Sequence, residues 1–231
     1  MANYHEMTVG DDGEGLTLHD YSAGTLPRPQ VNRKIIYPKA NGVFARYRAA
    51  NDPNYYDARL VERFFIATAT NSVVNTVAET TILIGTGVEG SATTSIPGSL
   101  LQVGHTVRTY LSGYIGTDAI APTLRIRQYA SGVLLLDSGA VVMTAGLAAD
   151  YWEFNSVLTF RSVGAAGSAI GQGIFSYNSA LGVMTHLPMP MAVAVGGIGT
   201  TVLMDCNVTA TWGTAHANND LERTNAIQEL L

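Results

Sequence analysis

Side chains able to do chemistry are few and scattered in this sequence. The five histidines stand at positions 5, 19, 105, 186 and 216 and have no ligand spacing, although a three-fold axis could gather copies of any one of them. His5-Glu6 lacks the second histidine at position 9 that a zinc-protease helix needs. Asp11-Asp12-Gly13-Glu14-Gly15 has the composition of a calcium loop without its alternating acids or closing glutamate, and reads as an acidic turn. No serine occupies a G-x-S-x-G frame, and the only lysines, Lys34 and Lys39, follow no glycine-rich phosphate loop.

Glycoside hydrolysis needs two facing carboxylates, and the acids of the C-terminal region that could supply them are Glu79, Glu89, Asp118, Asp137, Asp150, Glu153 and Asp205. Most of these lie beside glycine or in expected turns, where a carboxylate ordinarily caps backbone N–H groups. Tyr151, Trp152 and Trp212 could stack on a sugar ring, but the local pattern around both tryptophans is that of core or subunit-contact aromatics. Cys206, the single cysteine, sits among apolar neighbours as a small core residue and excludes both a disulfide framework and a cysteine zinc site. Asn207-Val208-Thr209 matches the glycosylation triplet but follows no secretory leader, so it reads as chance. No enzymatic activity, metal or cofactor is expected.

The elements that would position these groups fall into two regions of different physics. Residues 1–63 carry eight acidic and eight basic side chains and six of the eleven tyrosines, whereas residues 64–231 carry only ten acids and five bases. Within the first region an acidic stretch to Asp20 precedes a basic one from Arg28 to Arg48 that contains no acid. Pro27, Pro29, Pro38 and Pro53 favour an extended chain with no sustained hydrophobic period. Such a segment cannot bury enough surface on itself to offset its ordering entropy, so it is expected to be an attachment arm that orders on a partner. Arg28, Arg33, Lys34, Tyr37, Phe44, Arg46, Tyr47 and Arg48 are its candidate contact residues. Because the arm is neutral overall, a protein partner is expected and not a nucleic acid.

Residues 64–231 read as strands almost throughout: 64–68, 77–84, 105–115, 123–129, 133–137, 151–163, 169–177, 201–212 and 221–230. Ala130-Ser131-Gly132 reads as a hairpin connection, and glycine-rich breaks at 85–90, 164–167 and 196–199 separate other segments. About nine short strands with no convincing helix predict an all-β antiparallel sandwich, jelly-roll-like, behind the arm. The stretch from Ser162 to Met204 has no Asp, Glu, Lys or Arg, yet polar residues and prolines break it up, so no membrane span is expected. So few charges cannot clothe the solvent side of every strand, and burial of outer surface against other subunits is expected.

Four stretches carry a resemblance: "SIPGSLLQVGHTVRTYLSGYIG", "TLRIRQYASGVLLLDSGAVVMTAG", "YWEFNSVLTFRSVGAAGSAIGQGIFSYNS" and "VTATWGTAHANNDLERTNAIQEL". Together they resemble a jelly-roll module of phage and prophage virion proteins, over roughly residues 70–231. The sequence departs from that pattern at Asp220, Glu222 and Arg223, where the module's final strand is more apolar. The resemblance implies a homotrimeric outer domain of a capsid decoration protein, neck appendage or tail fibre, behind a variable N-terminal attachment segment. The protein would then be made in the host cytoplasm and reside on the particle exterior. Its partners would be other virion proteins, with a host surface carbohydrate as a further possibility for an appendage.

Overall fold

The computed structural model describes residues 3–8, 17–22, 34–39, 42–47, 56–59, 62–67, 69–83, 95–98, 101–180, 182–201 and 203–231. The chain divides into two compact units, Met1–Glu62 with Leu231, and Arg63–Leu230. Among the described residues there is no α-helix.

In the first unit β1 (Asn3–Thr8), β2 (Thr17–Ser22), β3 (Lys34–Lys39), β4 (Gly42–Tyr47) and β5 (Tyr56–Arg59) form one antiparallel sheet in the order β2-β1-β3-β4-β5. The backbone of the expected arm is thus locally extended, and its strands also pair with one another. Short runs of β-branched and aromatic residues, Ile35-Ile36-Tyr37 and Val43-Phe44, lie on the paired strands β3 and β4. Such residues favour pleated backbone even where no two-residue hydrophobic period marks a buried face.

The second unit is a sandwich of two antiparallel sheets. The larger contains β6 (Glu62–Ile66), β7 (Asn71–Val74), β10 (Thr106–Gly116), β14 (Asp150–Ser162), β15 (Gly167–Ala180), β16 (Val183–Pro190), β17 (Val195–Ile198) and β19 (Asp220–Leu230). The smaller contains β8 (Thr80–Thr81), β9 (Ser95–Pro97), β11 (Thr123–Ala130), β12 (Val133–Asp137), β13 (Val141–Val142) and β18 (Leu203–Trp212). In the larger sheet β19 pairs with β10 and β7, and in the smaller β18 pairs with β11 and β8. The chain changes sheet between β7 and β8, β9 and β10, β10 and β11, β13 and β14, β17 and β18, and β18 and β19. The last two strands therefore close beside the first ones, which is the rolled connectivity of a jelly roll.

Two-residue alternation selects the faces. On β11 Leu124, Ile126, Gln128 and Ala130 are buried while Arg125, Arg127 and Tyr129 point outward. On β14 Trp152, Phe154, Leu158 and Phe160 turn into the core, and on β18 Met204, Cys206, Val208, Ala210 and Trp212 meet them from the other sheet. Ser131 and Gly132 both adopt positive φ, 47° and 75°, as a tight β11–β12 hairpin requires.

The expected strands over 105–115, 123–129, 133–137, 151–163, 169–177 and 221–230 lie within a few residues of observed ones. Two differ. Among the described residues of the run 77–84 the strand is Thr80–Thr81, followed by a bond from Ile82 N–H to Val208 O at 2.9 Å, and Gly196 and Gly197, read as part of a break, lie on β17. Nor was β16 anticipated, because its prolines at 188 and 190 mimic a loop. The final strand tolerates charge for a structural reason: β19 is interior to its sheet, and Arg223 is wholly buried against backbone carbonyls. Its Nε donates to Ile82 O at 2.9 Å and its Nη1 to Ala69 O at 2.8 Å.

Candidate interaction face

The two outward faces of the sandwich differ in how their polar groups are satisfied. On the smaller sheet, charges neutralise one another locally. Arg127 Nη1 meets Glu79 Oε2 at 2.5 Å, Arg125 Nε donates to Asp137 Oδ1 at 2.8 Å, and Arg127 Nε stands 3.6 Å from Asp137 Oδ2. Glu79 also accepts from Tyr129 Oη at 2.7 Å and Thr209 Oγ1 at 2.6 Å. Burial pushes the Glu79 carboxyl up, but the hydrogen bonds from Thr209, Tyr129 and Arg127 outweigh it and hold the group below its ordinary value. The Arg125 hydrogen bond likewise holds Asp137 down.

The larger sheet presents a different surface. Strand register lays its outward residues in rows across β19, β10, β14, β15 and β16. One row runs Glu229, Arg108, Val157, Gln172, Pro190, and the next Ile227, Tyr110, Asn155, Ile174, Pro188. Arg108, with Nη1 at 3.9 Å from Glu229, is the one cation in these two rows. From β14 to β16 both rows are uncharged, and a shallow groove of about 390 Å³ lies there, lined by Arg108, Val157, Gln172, Ile174 and Pro188 among others. Smaller depressions continue it towards Tyr110 and Ile227 on one side and Met191 on the other.

A third row, Asn225, Ser112, Glu153, Ser176, His186, is polar. Tyr151 Oη donates to Glu153 Oε2 at 3.1 Å, so the Tyr110 hydroxyl is the donor in its 3.2 Å contact with Tyr151. Burial, then the bonds to Tyr110 and Glu153, push the Tyr151 phenol well above its usual value, so it remains a neutral donor. Ser176 Oγ and His186 Nδ1 are 2.9 Å apart.

The sheet ends at β16 in a guarded edge. Met191 N–H donates to Gly171 O at 3.2 Å, towards β15. By alternation the nitrogens of Pro188 and Pro190 face away from the sheet, where they offer no donors to an incoming strand.

Both tryptophans take the core positions that their local pattern implied. Trp152 and Trp212 do not form a sugar platform with Tyr151. Both indoles are fully buried, Trp152 Nε1 donating to Tyr114 O and Glu222 O at 3.0 Å each and Trp212 Nε1 to Val73 O at 2.9 Å. Inward alternation on β14 and β18 puts them in the core, and only Tyr151 lies outward. Among the seven acids weighed for hydrolysis, Glu79 and Asp137 are joined through Arg127, and Asp118 Oδ1 stands 3.8 Å from His216 Nδ1. Glu89 lies outside the described residues. Cys206 is buried in β18, as its neighbours suggested.

Of the arm's candidate contacts, Arg28, Arg33 and Arg48 lie outside the described residues. Lys34 and Tyr37 are on β3, and Phe44, Arg46 and Tyr47 on β4, with Lys34 opposite Tyr47 and Tyr37 opposite Phe44. The uncharged face of the larger sheet was missed as a site. Its signal was the coincidence of the charge-free run 162–204 with strands whose outward positions are Val, Ile, Pro, Asn and Gln.

Comparison with protein-family models, with curated proteins and with solved structures finds no match for this chain.

Proposed function

We propose that this protein is a non-enzymatic structural component of a bacteriophage particle, a capsid decoration or cement protein whose C-terminal jelly roll forms an exterior trimer and whose N-terminal segment attaches it to the shell. The virion assignment rests on the resemblance of residues 70–231 to phage jelly-roll modules. The observation that supports a homotypic, structural role is the contrast between the two outer faces, one neutralised by its own ion pairs and one grooved and uncharged in its central rows from β14 to β16. Attachment would run through Arg28, Arg33, Lys34, Tyr37, Phe44, Arg46, Tyr47 and Arg48, because Arg and Tyr are the side chains that gain most at protein interfaces. Three linked attachments make the second and third intramolecular, which strengthens docking without new contacts.

The alternative within the same class, a neck or tail appendage that touches a host surface glycan or protein, is favoured by the hydroxyl, carboxylate and imidazole groups of Tyr110, Tyr151, Glu153 and His186 on one face. Copy number separates the two. Quantifying the protein in purified particles should give hundreds of copies for a decoration protein, and a dozen or fewer for a neck or tail part. Its complete absence from particles overturns both readings. Deleting residues 1–60 should leave particles without the protein, and normal incorporation of that variant would shift the attachment role to the sandwich.

A further inference from the structure

We infer that copies of this chain pack on one another through the outer face of the larger sheet, centred on Val157, Gln172 and Ile174. The inference rests on the homotypic association proposed above and assigns it to a surface.

The two outer faces and the β16 edge differ in what they offer a second copy. The outer face of the smaller sheet already holds its charges in short ion pairs around Arg127, and covering it would strip water from groups that gain nothing from a new partner. The free edge at β16 faces outward with two proline nitrogens, which offer no donors for extending the sheet into a neighbour. The outer face of the larger sheet remains. Its central rows are uncharged from β14 to β16, and Val157 is 41% exposed at their middle.

The size of that face suits a stable interface. Five strands at about 4.8 Å spacing and eleven residues at about 3.4 Å rise give a patch of roughly 19 by 37 Å, or about 700 Å². Each partner in a specific complex typically contributes about 800 Å².

The charges at its ends point to a second copy as the occupant. Arg108 lies at one end of the strands, and Glu153 and Glu222 lie four to six residues further along on the same face. Around a three-fold axis each copy can set its Arg108 towards the next copy's Glu153 while the uncharged centres line the axis, so one surface supplies both halves of the match.

The test compares the full-length chain with Val157→Arg and Gln172→Glu, made separately, and with Leu134→Arg on the smaller sheet as a control. All three sites lie at solvent-facing positions, so each protein should keep the wild-type circular dichroism spectrum. Sedimentation velocity at micromolar concentration should show the wild type and Leu134→Arg as oligomers. The two face variants should fall to the monomer mass of 24.5 kDa. If both folded face variants keep the wild-type mass, the assignment to this face is wrong while association itself stands. If the wild type sediments as a monomer, the homotypic reading fails and the face assignment with it.

Discussion

Trp152 sits directly across the strand pair from Gly113, and its indole Nε1 bridges the carbonyls of Tyr114 and Glu222 at 3.0 Å each. The arrangement needs a residue without a side chain. A Cβ on residue 113 would stand 1.9 Å from Glu222 O, because β19 bulges towards β10 between Ser112 and Gly113. Gly113→Ala must therefore push β19 away and break the bridge that anchors the largest core side chain. Overpacking against backbone cannot be relieved by a rotamer change, so a loss of about 3 kcal/mol or more is expected. Chemical denaturation of the variant, read by tryptophan fluorescence, checks it.

Cys206 is fully buried in β18, and burial pushes its thiol far above the ordinary range, with Asp205 adding to the effect. A thiol reagent at neutral pH should leave the native protein unlabelled and react once denaturant is added. Cys206→Ser should cost about 1 to 3 kcal/mol, the penalty of placing a hydroxyl in an apolar site.

Asp220 should make stability rise on mild acidification. Burial, and then the neighbouring Glu222 carboxylate, raise its pKa above the ordinary value, and its Oδ1 is buried without a hydrogen bond. The folded state therefore holds the proton more tightly than the unfolded state does. This group's contribution is most favourable at low pH and declines as pH rises from the ordinary aspartate value through the raised one. Asp220→Asn should raise the thermal midpoint at pH 7, and the gain should shrink towards zero at acidic pH.

Glu79 and Asp137 work in the opposite direction. Both are held below their ordinary values, so their stabilising contribution is present above the unfolded carboxylate range and is lost as pH falls through the lowered folded values. Glu79→Gln should cost about 1 kcal/mol at neutral pH, as expected for a partly solvated ion pair. The difference from wild type should vanish in acid, which a pH series of urea melts will show.

The strands legible in the sequence are those where a two-residue alternation stands out, as in Leu124, Ile126, Gln128 and Ala130 on β11. The tight turn at Ser131-Gly132 was legible for the same local reason, since glycine marks positive φ. What escaped was set by tertiary position. Pro188 and Pro190 read as loop until β16 is known to be an edge, and Arg223 reads as a surface charge until Ala69 and Ile82 are seen to bring their carbonyls to it. The interaction face was hidden because its members come from five strands whose order the sequence does not state. Trp152 and Trp212 were weighed between sugar stacking and core, and only their position within the alternation decides that they donate to backbone inside the sandwich.

Arg223 also sets the order of events when the chain folds. Its guanidinium closes contacts with residues 154 and 141 positions earlier, at Ala69 and Ile82, and Thr209 reaches Glu79 across 130. The early strands β7 and β8 can find their permanent neighbours only after β19 and β18 have left the ribosome, so the sandwich closes late and slowly, as high contact order dictates. Until then β10 and β14 lack the cover that β18 and β19 supply, and apolar surface left open on a nascent chain favours aggregation.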